Sequence, residues 1–300
     1  MKPHLPLLAL AASLLGLFAC DPKGTTSTTT TGPATATTGP RIVSMVPAAT
    51  LNLVQIGAAD RLVGVTKYDS LFLPEGKQNL PVVGDYLDIN YELLIQMRPT
   101  AVVIFAAEHR VPERLRQIAD QQRFEIVNIK TDTIAELYIA IEKLGDISGR
   151  RAEADARIAV MKADLREIAE QYKDRPKVRV AYVSGREPPY IVGRDNFLDE
   201  MLRAAGGENV GATVGPGWPT ISLELLIKLA PDVLLVGAPD EPEQIGPTDP
   251  RAQRWLRLPI PAAKNGKVFL VTDGNGQMPS LETPNHIRRF AQLLHGEKPR

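Results

Sequence analysis

From Arg41 onward, short apolar runs alternate with longer segments whose apolar positions recur every three or four residues. RIVSMV, LVGVT, AVVIF and EIVNI read as strands, while ATLNLVQIG, VPERLRQIADQQ and IAELYIAIEKLGDIS read as amphipathic helices. The second half repeats the scheme with VRVAYVS, NFLDEMLRAAGG, DVLLVG, KVFLVT and a closing helix, ETPNHIRRFAQLLHG. Strands alternating with helices at this pitch predict mostly parallel sheets covered on both faces. Between the halves, Ala154, Ile158, Met161, Leu165, Ile168 and Tyr172 step by four and three while charged residues fill the other faces. That stripe predicts a long helix over Gly149–Lys173, ended by Pro176. It fits a helix packed on one domain, and its position between two similar halves fits a connecting strut. The expected fold is α/β, with an N-terminal lobe over residues 41–148, a connecting helix over 149–174 and a C-terminal lobe over 175–300.

The stretch GDYLDINYELLIQMRPTAVVI, residues 84–104, has a second copy in PGWPTISLELLIKLAPDVLLV, residues 216–236. A spacing of 132 residues carries Tyr86 to Trp218, Asn90 to Ser222, Glu92 to Glu224 and Pro99 to Pro231. Asn90 and Ser222 are good N-cap types just before an apolar run, so Glu92 and Glu224 fall in the first turns of their helices. A carboxylate there meets the positive end of the helix dipole and needs no partner. It also projects at the loop end of the sheet, so two such glutamates stand on the same rim of two lobes. The aromatics lie six residues earlier, in loops led by Gly84 and by VGPG. Ligands of open α/β sheets bind beyond the carboxyl ends of the strands, and a cleft between two such sheets faces both aromatics inward. His109, in FAAEHRVP just after a strand, falls at the mouth of that cleft and is a candidate ligand contact.

The ends of the chain carry different information. Lys2 and an apolar run from Leu5 to Ala19 read as a secretion signal over residues 1–19, shorter than the roughly twenty residues a spanning helix needs. Cys20 is the single cysteine, so no intramolecular disulfide can form. LFAC, ending in Cys20, resembles the lipobox of bacterial lipoproteins, which implies that Cys20 becomes the lipidated first residue of the mature protein. Residues 20–40 are dominated by Thr, Gly, Pro, Ala and Ser and read as a flexible tether from that anchor.

Lys plus Arg and Asp plus Glu balance at 35 each, with no basic run or aromatic-studded basic face, so nucleic acid is not an expected partner. A G-x-S-x-G elbow, an H-E-x-x-H pair, a P-loop and a D-x-H-x-x-G corrinoid-enzyme motif are all missing. GNGQMP lacks the third glycine of a dinucleotide fingerprint, and His286 and His295 read as surface or capping histidines. The expectation is a binding protein and not an enzyme; the alternative from another class is an exported α/β enzyme using Glu92 or Asp273 as general base.

From RIVSMVPAATLNLVQIG to its last helix the mature chain resembles the periplasmic binding proteins of the iron-siderophore, haem and cobalamin uptake family, most closely its cobalamin-binding branch. NYELLIQMRPTAVV, GRDNFLDEMLRAAGGENV and WPTISLELLIKLAPDVLLV are the most specific pieces of that resemblance. It implies two lobes joined by one long rigid helix, with the ligand in the cleft between them. It also implies a monomeric substrate-binding component of an ABC importer, anchored by lipid at the outer face of the cytoplasmic membrane. Glu92 and Glu224 then dock onto arginines of a permease dimer that works with its ATPase. Tyr86, Tyr190, Trp218 and Tyr68 match positions that surround a corrin ring, and Asp273 matches a polar ligand contact. The protein then needs no cofactor of its own, since a corrinoid carries its own cobalt; a ferric siderophore or haem is the alternative ligand. A lipoprotein of this fold that signals or scavenges without a transporter is a further reading.

Overall fold

Predominantly apolar runs form the interior strands of two sheets. The computed structural model describes residues 39–85, 88–185, 188–238 and 250–297. In the N-terminal lobe β1 (Ile42–Ser44), β2 (Leu62–Gly64), β3 (Ala101–Ile104) and β4 (Glu125–Asn128) lie in the order β2-β1-β3-β4, all parallel. All four residues of β3 are buried, because a central strand covered on both faces has no wet side. Ile42, Ala101 and Val103 pack toward α1 (Pro47–Gln55) and α4 (Ile134–Ser148). Val43, Val102 and Ile104 pack toward α2 (Tyr91–Gln96) and α3 (Glu113–Gln122).

The C-terminal lobe is built on β5 (Val178–Ser184), β6 (Tyr190–Ile191), β7 (Gly207–Asn209), β8 (Val233–Gly237) and β9 (Val268–Val271). The strand order is β6-β5-β8-β9 with β7 also pairing β5, and only β6 runs antiparallel. Helices α6 (Phe197–Ala204), α7 (Leu223–Leu229), α8 (Pro250–Leu256), α9 (Pro261–Lys264) and α10 (Thr283–His295) complete it. The apolar pattern does not reveal β6 and β7, which are two and three residues long. Gly207 opens β7 because backbone and side chain meet there: an added Cβ would lie 2.8 Å from both the Leu202 carbonyl oxygen and Val180 Cγ1.

Between the sheets, α5 (Arg151–Tyr172) runs 22 residues, about 33 Å at 1.5 Å per residue. It begins two residues later than the stripe predicts, because Gly149 takes a left-handed φ of 69° and ends α4. Ala154, Ile158, Met161, Ile168 and Tyr172 are buried as the stripe requires. Gly145 of α4 allows close approach, since a Cβ there would lie 2.7 Å from the Ala154 Cβ. On its C-terminal-lobe side α5 meets α10, where Arg288 reaches Asp164 at 2.9 Å and Glu167 at 3.3 Å. One continuous apolar core therefore runs from Leu53 and Leu144 through Ile158 and Met161 to Tyr182 and Phe290.

The lobes are also joined by buried and partly buried hydrogen bonds outside α5. Asn52 of α1, 2% exposed, donates to the Pro279 carbonyl at 3.0 Å and accepts from the Leu281 amide at 3.2 Å. Gln55 shares that amide at 3.1 Å, and Glu200 of α6 accepts from the Ile134 amide at 2.7 Å. Asn52→Ala strands the Pro279 carbonyl and is expected to cost about 1–3 kcal/mol of stability, read from urea unfolding. An unchanged midpoint would show that the bond does not hold the lobes.

Candidate functional site

Two exposed aromatics of the C-terminal lobe share one backbone ladder. Residues 189–194, which include β6, pair with residues 215–221: Ile191 N–H donates to the Pro219 carbonyl at 3.0 Å and Ile221 N–H to Pro189 at 2.9 Å. Gly193 N–H donates to Gly217 at 2.8 Å, and Arg194 and Gly217 continue the ladder. Gly193 is required there because a Cβ would fall 2.1 Å from the Gly215 carbonyl oxygen. Tyr190 (46% exposed) and Trp218 (39% exposed) thus stand on a single rigid platform. The Trp218 ring meets buried Tyr182 edge-on, centroids 6.2 Å apart at 81°, and Tyr182 in turn rests against Phe290 at 6.2 Å.

Asp273, two residues beyond β9, brings a carboxylate oxygen to 3.2 Å from Nδ1 of His286 on α10. Burial holds the His286 imidazole below its ordinary range, against the upward pull of Asp273 and Glu282. His286 is therefore no surface histidine. Its side chain is 12% exposed, and only the fold brings it to the loop after β9. His295 closes α10 and stacks on Tyr172 with centroids 5.0 Å apart.

In the N-terminal lobe, Tyr68 follows β2 in a tight turn. Buried Asp69 accepts from the Thr66 amide at 2.5 Å, and the Thr66 hydroxyl oxygen accepts from the Tyr68 amide at 3.2 Å. Burial pushes the Asp69 carboxyl up. Tyr68 is 56% exposed with the Lys67 ammonium 4.9 Å from its ring centroid. His109 is exposed in the turn after β3. Among the described contacts, neither residue touches the Tyr190–Trp218 platform. Tyr86 and Cys20 lie outside the described residues.

Glu92 and Glu224 occupy equivalent, exposed first-turn positions of α2 and α7. The Asn90 side chain accepts from the Leu93 amide at 3.0 Å and Ser222 from the Leu225 amide at 3.2 Å. The Ser222 hydroxyl, with the backbone amide of Glu224 itself, holds the Glu224 carboxyl below the usual range. The repeat extends past what the aligned letters show. Arg98 and Ala230, also 132 residues apart, both take left-handed φ values of 45° and 46° before a proline. Arg41 donates to the Met97 carbonyl at 2.6 Å and Arg179 to the equivalent Leu229 carbonyl at 2.7 Å, each closing its helix.

Among the described residues, no helix is long and apolar enough to cross a membrane and no cluster of His, Cys, Asp or Glu could hold a metal ion. Residues 42–273 match the family model for periplasmic binding proteins. The chain belongs to the periplasmic binding protein family. The "Uncharacterized ABC transporter substrate-binding lipoprotein YvrC" of Bacillus subtilis is 29% identical over 200 residues, 65% of this chain and 62% of its own. The chain thus spans less than two thirds of that relative. A vitamin B12-binding protein of Vibrio campbellii is 26% identical over 252 residues, covering 84% of this chain and 88% of the relative. The periplasmic haem binding protein HutB of Vibrio cholerae superimposes with a TM-score of 0.73 at 20% identity, over 85% of this chain and 99% of that one. The likeness to HutB is one of architecture: two lobes, each a mostly parallel sheet covered by helices.

In this periplasmic binding protein Tyr182 of β5, which Trp218 meets edge-on, and Gln277, beyond β9, both lie beside Gly237 at the end of β8, polar residues that spacing does not connect. Tyr182 reads from the sequence as one more core position of VRVAYVS, and Gln277 as part of a glycine-rich loop. The one signal available was the polar tip of an aromatic inside an apolar strand, which needs a hydrogen-bond partner when buried.

Proposed function

We propose that this periplasmic binding protein captures a cobalamin-type corrinoid outside the cytoplasmic membrane and delivers it to the permease of an ABC importer. The observation that carries this reading is the platform of Tyr190 and Trp218, two large aromatics held half-exposed on one ladder beyond the carboxyl ends of the strands. Such a surface suits a flat macrocycle, and each ring-face contact adds about 0.5–1.5 kcal/mol beyond the area it buries. The vitamin B12-binding relative supports the corrinoid, and the YvrC relative supports the transporter. Tyr68, Asp273, His109 and Tyr86 complete the proposed ligand set. Glu92 and Glu224, matched and exposed in both lobes, are the proposed docking points for a two-fold permease.

Haem is the second reading, favoured by the exposed phenol of Tyr68 and the exposed imidazole of His109, both of types that ligate haem iron. Titration of the purified protein with cyanocobalamin, cobinamide, haem and a ferric hydroxamate separates the two. Trp218 is half-exposed and Trp255 is 2% exposed, so quenching of indole fluorescence reports chiefly on the platform. One-to-one binding of a corrinoid, recovered unchanged, is expected. Binding of haem with no response to either corrinoid would move the assignment to the haem branch, and turnover of any of these ligands would make the protein an enzyme.

A further inference from the structure

We infer that the C-terminal lobe holds a polar recess behind Trp218, formed by Tyr182, Gln277 and the Asp273–His286 pair, which receives a neutral carboxamide arm of the ligand. This inference rests on the corrinoid reading above and deepens it. Tyr182 is fully buried, yet its hydroxyl has no hydrogen-bond partner among the described residues, and neither has the buried Nε2 of Gln277 or of His286. A buried polar atom left without a partner costs free energy, so the Tyr182 hydroxyl and Gln277 Nε2, both beside Gly237, together point to a missing partner. Two glycines keep the space in front of them open. A Cβ on Gly237, the last residue of β8, would lie 2.8 Å from the Tyr182 hydroxyl and 3.3 Å from Gln277 Nε2. A Cβ on Gly276 would lie 3.3 Å from His286 Nδ1 and 3.6 Å from the Asp273 carboxylate. The Tyr182 ring also touches Trp218, so the recess adjoins the platform proposed to hold the ring system.

The charge around the recess selects among arms. Burial, and then the Asp273 carboxylate, drive the Tyr182 phenol far above its usual range, so it stays a neutral donor and acceptor. Gln277 is neutral, and burial favours neutral His286, on which Glu282, just before α10, and Arg289 of α10 act with opposite sign. A carboxylate arm brought to Tyr182 would meet Asp273 as a like charge. A carboxamide offers an N–H to the phenol oxygen or to Asp273 and a carbonyl to the Gln277 amide or the phenol hydrogen. Corrins carry peripheral carboxamides where haem carries propionates, so the recess distinguishes the two macrocycles by one arm.

The test compares cyanocobalamin with its monocarboxylic acid derivatives, in each of which one peripheral carboxamide has become a carboxylate. At pH 7 the wild type is expected to bind at least one monoacid roughly 10-fold more weakly than the parent, because a buried hydrogen-bonding site rejects the wrong group. Tyr182→Phe, which keeps the ring and its packing, and Gln277→Leu should each narrow that gap to about three-fold or less, with cooperative thermal melting retained. Equal affinity for all monoacids in the wild type, or an unchanged gap in both variants, overturns the recess. Should the wild type bind haem and ignore corrinoids, the corrinoid reading fails separately. The recess is then judged by haem against its bis-propionamide: preference for the amide upholds it and preference for the free acid overturns it.

Discussion

The double variant Glu92→Gln/Glu224→Gln is expected to bind ligand with wild-type affinity and to fail to stimulate uptake by the cognate permease and its ATPase. The two carboxylates stand exposed in the first turns of α2 and α7, Glu92 in the N-terminal lobe and Glu224 six residues after Trp218, and among the described contacts neither touches the Tyr190–Trp218 platform. Gln keeps the size and the capability to hydrogen-bond while removing the charge. If each glutamate meets an arginine at a partly desolvated interface, losing it should weaken docking by roughly 30-fold or more per site, and the losses compound over two sites. If the glutamates serve only the dipoles of their own short helices, uptake stays near normal and the effect is confined to a small drop in melting temperature. Reconstituted transport with saturating ligand separates the two, since saturation removes any contribution from binding. Glu224→Gln also turns the charge-assisted contact with the Ser222 hydroxyl into a neutral one, so Ser222→Ala is the control that perturbs the cap without removing the charge.

Trp218→Ala should give the largest loss of ligand affinity available at a single position. Large aromatics at the centre of a binding surface commonly cost about 2 kcal/mol or more on truncation, roughly 30-fold in Kd. The ladder that carries Trp218 is made of backbone hydrogen bonds from residues 189–194 to 215–221, and none uses the indole. The fold should therefore survive, although Tyr182 loses its edge-on partner. Isothermal titration with the preferred macrocycle, alongside a urea melt, measures both. Affinity within three-fold of wild type would mean that the ligand does not lie on Trp218, and the platform would then be a structural feature of the loop. Gly193→Ala is the complementary variant: it forces a Cβ against the Gly215 carbonyl and should displace Tyr190 and Trp218 together.

Much of this molecule is legible in one dimension because burial on a regular element leaves a periodic trace. AVVIF is apolar throughout since β3 is covered on both faces, and the stripe of α5 marks the side packed against α4 and α10. The repeated N-caps and first-turn glutamates are equally local, each set by a hydrogen bond three residues away. What periodicity cannot encode is which distant groups meet. Asn52 reads as a polar interruption in an apolar helix, and only the fold brings it to Pro279 and Leu281, more than 200 residues on. Tyr190 stands outside every strand the apolar pattern predicts, and pairing of two short segments makes it a strand residue sharing a ladder with Trp218. His286 appears solitary until α10 sets it against Asp273, and Tyr182 appears apolar until its hydroxyl is found beside Gly237 and Gln277. The helices, the strands and the paired glutamates follow from local chemistry along the chain. The recess, the platform and the joint between the lobes exist only where buried polar groups from separate elements converge, a condition that tertiary packing alone imposes.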